Sequence, residues 1–155
     1  MTPSNQTLTE DLHLSGGVVV GDDGSAGAEL AIRYAIGEAR RRGSALHVVR
    51  AWTITNAVRP ADEPFGYVPS LEQMEAATLE ATQQRVSQLI GESADVSIEV
   101  HVVHGSAAKA LIAVSKTTDV LVVGSRGLGS VASLLLGSVA LQVIQHSAGP
   151  VIVVR

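Results

Sequence analysis

A chain of 155 residues is long enough for one domain with a full core. It is 46% hydrophobic, 17% charged and only 3% aromatic, which excludes disorder, requires a core of Val, Leu, Ile and Ala, and leaves few platforms for stacking nucleic-acid bases. A net charge of −4 argues against a phosphate-backbone binder, and the absence of Cys excludes disulfides and thiolate chemistry.

Residues 1–15, MTPSNQTLTEDLHLS, have no basic start and no apolar stretch, so they read as a flexible polar tail rather than a secretory signal. No apolar run reaches the roughly 18 residues of a membrane span, and no membrane or nucleic-acid partner is expected. A cytoplasmic setting follows. Val18–Val20 read as a buried strand that leaves into the turn Gly21-Asp22-Asp23-Gly24-Ser25. Ser25 can cap a helix whose apolar residues recur at Ala28, Ala31, Ile32, Ala35, Ile36 and Ala39, with Arg40–Arg42 and Gly43 closing it.

A second strand is predicted over Ala45–Trp52. An irregular stretch at 53–69 carries Pro60, Pro64 and Pro69, and a segment of this length is a candidate lid. Ser70 and Gln73 form a capping box for a helix running to about Gly91, with apolar positions at Leu71, Met74, Ala81, Val86, Leu89 and Ile90. Alternation from Val96 to Val102 predicts an edge strand with Ser97, Glu99 and His101 on a wet face. A short helix capped by Ser106 and a central strand at Val120–Val123 follow. A glycine-rich loop then leads to a helix from about Ser138 to Ser147 and a last strand, Val151–Val154. Strict β-α alternation implies an α/β fold: an open five-stranded parallel sheet with helices on both faces, in one domain spanning 16–155. Ligands of such sheets bind at strand carboxyl ends where the winding reverses, here after the first and fourth strands.

The strongest signal is GSRGLGSVASLLLGS at 124–138. Gly124, Gly127, Gly129 and Gly137 let backbone N–H groups approach a ligand, and Gly137-Ser138 stand at a helix N-terminus that favours an anion. Arg126 is the loop's one cation, and the Ser138 hydroxyl can donate to a phosphate oxygen. Gly124 and Gly129 have P-loop spacing, but Ser130-Val131 replace its Lys-Ser/Thr. Gly21, Gly24 and Gly27 are spaced unlike a dinucleotide fingerprint, and Asp22 and Asp23 would repel a pyrophosphate. A receiver domain would need an Asp after the third strand, where His104-Gly105-Ser106 stand. A carboxylate at a strand end can instead accept from an exocyclic amine such as adenine's. The histidines at 13, 47, 101, 104 and 146 show no metal-ligand spacing on one element, and G-x-S-x-G is absent. No catalytic residue and no metal ligand is expected; His104, near a strand end, could touch a ligand.

Gly124, Gly127, Gly137 and Ser138 resemble the G-x2-G-x9-G-S/T pattern of the universal stress protein family, in its single-domain, ATP-binding branch with an adenine nucleotide alpha hydrolase-like fold. Asp23-Gly24-Ser25 and the closing run at 149–154 match the family's first and last strands, with Asp22 replacing an apolar or small residue. The resemblance implies ATP, with or without Mg²⁺. Asp23 would contact adenine, flanked by Gly21 and Asp22, and Ala51 would line the adenine pocket. Val123 and Gly124 would border ribose and phosphates, while Gly127, Gly137, Ser138 and Val139 would hold the phosphates. Arg126 is added from its charge, and a second carboxylate at Asp22 must face water or a metal. The family also implies a homodimer through the final strand and an unknown protein partner. The expected function is a stress-response regulatory module rather than an enzyme. The alternatives are an adapter that does not use ATP and a slow ATP-hydrolysing or adenylyl-transferring enzyme.

Overall fold

Three β-branched residues in succession favour extended backbone, and Val18–Gly21 form β1. The computed structural model describes residues 11–91, 95–128 and 135–155. Helix α1, Ala26–Arg42, starts where the Ser25 hydroxyl accepts the Ala28 N–H at 3.1 Å, a cap worth about 1 kcal/mol. It ends at Gly43, whose φ of 61° is the left-handed stop that glycine takes without a Cβ penalty. The chain continues through β2 (Leu46–Trp52), α2 (Leu71–Ile90), β3 (Ile98–His104), α3 (Ala107–Val114), β4 (Val120–Gly124), α4 (Ser138–His146) and β5 (Val151–Val154).

The strands form one sheet in the order β3-β2-β1-β4-β5, every neighbouring pair parallel. Period-two alternation splits the core into two layers. Val18, Val20, Leu46, Val48, Val120 and Val122 pack under the α1 stripe and Val86 of α2. Val19, Val49, Val103, Leu121 and Val123 pack against α3 and α4 through Leu111, Val114, Ala140 and Val143. Helices therefore cover both faces. No helix among the described residues is long and apolar enough to cross a membrane.

Four local expectations need correction. Residues 11–15 are not a loose tail: Leu12 and Leu14 are buried in the α3/α4 layer, and Thr117 donates to the Leu14 carbonyl. Residues 1–10 lie outside the described residues. Strand β3 starts at Ile98, because pairing with β2 begins where Leu46 donates to the Ser97 carbonyl. The buried face of α2 includes Thr78 and Thr82 rather than Leu71. Each hydroxyl donates to the carbonyl four residues back at 2.7 Å, so both threonines enter the core with their polar atoms satisfied. His101 does not face open solvent; it is half-buried against His47 on β2.

Candidate functional site

The chain leaves β1 toward β2 on one side and returns to β4 on the other, so connections diverge at the carboxyl ends of these two strands. A cavity of about 450 Å³ opens there. Its lining includes Gly21, Asp22 and Asp23 after β1, Ala51 on β2, and Val123 and Gly124 at the end of β4. Arg126 and Gly127 follow from the glycine-rich loop, and Gly137, Ser138 and Val139 from the start of α4. Arg126 and every residue that the family resemblance assigned to the nucleotide thus border one space; Gly129 lies outside the described residues. A second, more open hollow of about 710 Å³, lined also by Val154 and Arg155, shares Arg126 and Gly127.

The two adjacent carboxylates of the β1 turn have different surroundings. The Asp22 carboxylate faces two arginines rather than open water. Its side chain is fully buried, Oδ1 accepts the Gly24 N–H at 3.0 Å, and two guanidinium groups approach it. Arg85 Nε of α2 stands 3.5 Å from Oδ1, and Arg50 Nη1 of β2 stands 3.8 Å from Oδ2. Arg85 also donates to the carbonyls of Gly24 and Ser25, at 3.1 and 2.8 Å, and so ties α2 to the turn. Burial of Asp22 is compensated by this positive charge from β2 and α2. Asp23 lies at the rim. Its Oδ1 accepts the Ser25 N–H at 2.9 Å and its Oδ2 accepts the Leu128 N–H at 3.0 Å.

The loop after β4 is anchored at both ends. Ser125 donates to the Val154 carbonyl at 2.7 Å, and Gly137 donates to the Ser125 carbonyl at 2.6 Å. Gly137 caps α4 with no side-chain hydrogen bond, so the first-turn N–H groups receive no side-chain acceptor from the cap. Such an end carries partial positive charge and suits a phosphate. Ser138, at the first helical position, is exposed and borders the cavity.

Sequence reasoning missed Arg50, Asn56, Gly105 and Ala107, which also line the cavity. Asn56 brings the 53–69 segment to the cavity wall, while Phe65 in the same segment is fully exposed. His104 is not in the lining; it stacks on buried Trp52 with ring centroids 4.4 Å apart.

The sequence profile of the universal stress protein family matches residues 17–155. The chain belongs to that family. Universal stress protein Rv2005c of Mycobacterium tuberculosis is 36% identical over 139 residues, which cover 89% of this chain and 45% of the relative. The chain spans about half the length of the curated relatives it matches. Among solved structures, universal stress protein UspA from Lactobacillus plantarum superposes with a TM-score of 0.68 at 22% identity, covering 93% of this chain and 99% of that one. A universal stress protein in complex with cAMP superposes with a TM-score of 0.65 at 26% identity, covering 91% and 97% of the two chains.

Proposed function

We propose that this chain is a regulatory module that binds ATP in the β1/β4 cavity and signals through nucleotide occupancy. The observation that carries the reading is the pairing of a glycine-lined cavity with the α4 N-terminus, whose Gly137 cap brings no side-chain acceptor. Gly127, Gly137, Ser138 and Val139 hold phosphate through backbone N–H groups and a hydroxyl, with Arg126 supplying positive charge. Val123 and Gly124 border the ribose. Gly21, Asp22, Asp23 and Ala51 stand on the adenine side, where Asp23 offers the one carboxylate at the rim. The cAMP complex of the 26% identical relative supports an adenine nucleotide as the ligand class. Strand β5 ends the sheet, and no strand pairs with its outer edge among the described residues. Its run Val-Ile-Val-Val carries no Lys or Pro to block such an edge, which supports homodimer formation there. We place the module in the cytoplasm and in a single domain.

The test is mass spectrometry of ligand released from purified, denatured protein, followed by thermal-shift titration with ATP, AMP, cAMP and adenosine. Bound ATP near one per chain, and a larger shift with ATP than with adenosine, are expected. A shift by adenosine equal to that by ATP would remove the phosphate role of the loop. No bound nucleotide and no shift with any of the four would favour the adapter reading. Hydrolysis slower than about 1 s⁻¹, the low end of common turnover numbers, is expected for a module that signals by occupancy.

A further inference from the structure

At the opposite end of the sheet, three ligand-bearing side chains meet across two strands. His47 on β2 is paired in register with Glu99 on β3, and His101 follows two residues later on the same face. His47 Nδ1 and His101 Nε2 are 3.1 Å apart, and Glu99 Oε2 lies 3.7 Å from each. The point equidistant from these atoms is about 2.0 Å from each, the length of a Zn–N or Zn–O bond. Rotating the side chains by a few tenths of an ångström gives the edges of a tetrahedral centre, roughly 3.3 Å each.

We propose that His47, Glu99 and His101 bind a borderline divalent transition-metal ion, with Zn²⁺ the reference and water completing the coordination. Two imidazole nitrogens select against Mg²⁺ and Ca²⁺, which take oxygen donors. The carboxylate supplies the negative charge that the two rings lack. The rings are held in place before any ion arrives. His47 is buried, and Gly17, at φ 80°, stands against its Cδ2 and Nε2 side, where an added Cβ would lie 3.2 Å away. Nδ1 is therefore the nitrogen turned to the partners on β3. Burial, with the neighbouring His47, lowers the His101 pKa from its ordinary value, which favours the neutral form that a ligand needs. Glu99 is exposed, which leaves the site open to water and to an entering ion.

The site lies about 13 Å along β2 from Ala51, at four residues of strand rise, so it does not depend on the nucleotide reading. Its effect is to fasten edge strand β3 to β2 where their pairing begins. Among the described residues this is the one such group of three ligand donors.

The experiment is calorimetric titration of the full, chelator-treated, nucleotide-free chain with ZnCl₂, alongside Glu99→Gln, His101→Ala and His146→Ala. One Zn²⁺ per chain is expected, with a rise in Tm. His101→Ala should weaken binding at least about 100-fold, more than loss of an outer-sphere partner costs. Glu99→Gln changes an exposed side chain, so its fold is kept; it should weaken Zn²⁺ binding while the metal-free Tm stays as in the parent. His146→Ala, on α4, should bind as the parent does. Absence of Zn²⁺ binding by the parent, or binding unchanged in both Glu99→Gln and His101→Ala, would overturn the proposal.

Discussion

The Asp23 carboxylate accepts the backbone N–H of Leu128 across 105 residues of sequence. This bond closes the turn after β1 onto the glycine-rich loop after β4, and it runs along the rim of the candidate cavity. It also fixes what can stand at position 127, because a Cβ there would overlap Asp23 Oδ2. That oxygen cannot simply swing away, since Oδ1 of the same group holds the Ser25 N–H. Gly127→Ala should therefore break the Asp23–Leu128 bond and misplace the loop. The expected outcome is a loss of about 1.5–3 kcal/mol in urea unfolding, the range of a hydrogen bond to a charged group, together with loss of ATP binding. Normal ATP affinity in this variant would place the phosphates away from the loop.

Asp22 is a stability residue by its surroundings, although it lines the same cavity. Removing it leaves Arg50 and Arg85 with the positive charge and no buried counter-charge. Asp22→Ala should cost about 3 kcal/mol, the lower end for breaking a buried ion pair, because Arg85 retains some access to water. Asp22→Asn keeps the acceptor for the Gly24 N–H and should lose less. Urea denaturation of both variants checks the order; equal and small losses would show that the arginines do not rely on this carboxylate.

The motif glycines are required for different reasons. A Cβ on Gly124 would lie 3.0 Å from the carbonyl carbon and oxygen of Gly27, in the first turn of α1, where backbone cannot give way cheaply. Among the described residues, a Cβ on Gly137 would come no closer than 3.4 Å to a neighbour, and its φ of −74° suits any residue. Gly124→Ala should lower Tm by several degrees with no ligand present, as about 1 kcal/mol does in a domain of this size. Gly137→Ala should fold with nearly the parent Tm and show its defect only in ATP titration. A reversed order of the two melting temperatures would refute the crowding argument.

Much of this architecture is written locally in the chain. The Ser25 cap, the Gly43 stop, the Ser70–Gln73 box and the six-alanine-and-isoleucine stripe of α1 obey rules that act within one turn of helix, so sequence spacing reveals them. The glycine loop was legible for the same reason: its residues are contiguous, and alternation of strands and helices puts it at the sheet's switch point. The rest depends on partners that only the fold brings together. Arg85 reaches the β1 turn from 61 residues away, and nothing in α2 marks it among the polar positions. Thr78 and Thr82 look like surface residues until their hydroxyls are seen to return to the helix backbone. His47 and His101 meet only because β2 and β3 pair in one register; a slip of one residue would turn His101 to the other face.

Arg126 separates the phosphate from the base in the proposed complex. It lines the cavity, it is exposed, and no ion pair to it is formed among the described carboxylates. Arg126→Ala should leave the fold unchanged, weaken ATP about tenfold and leave adenosine nearly unaffected, since about 1.4 kcal/mol of charge attraction is one decade. Parallel calorimetric titrations check it, and the ATP difference should shrink at high salt, where exposed charges are screened. Equal weakening of both ligands would remove the phosphate role of this side chain.

A last pair sets an acid limit on stability. Arg40, in the final turn of α1, donates to both oxygens of Asp95, with Nη2 at 2.9 Å from Oδ1, so the helix end is tied to the approach to β3. That hydrogen bonding holds the Asp95 carboxyl below its ordinary pKa of 3.8. Between the two values the unfolded chain binds more protons than the folded one, so stability rises with pH in that window. The contribution is fully present above the ordinary value and is lost as pH falls through the lowered one. Both side chains are about half exposed, 46% and 54%, so the effect is small and sensitive to salt. Asp95→Asn should have a slightly lower Tm than the parent near neutral pH, and the gap should narrow as the buffer is taken well below pH 3.8. A gap that is constant from neutral to acid would show that Asp95 acts through its local backbone and not through Arg40.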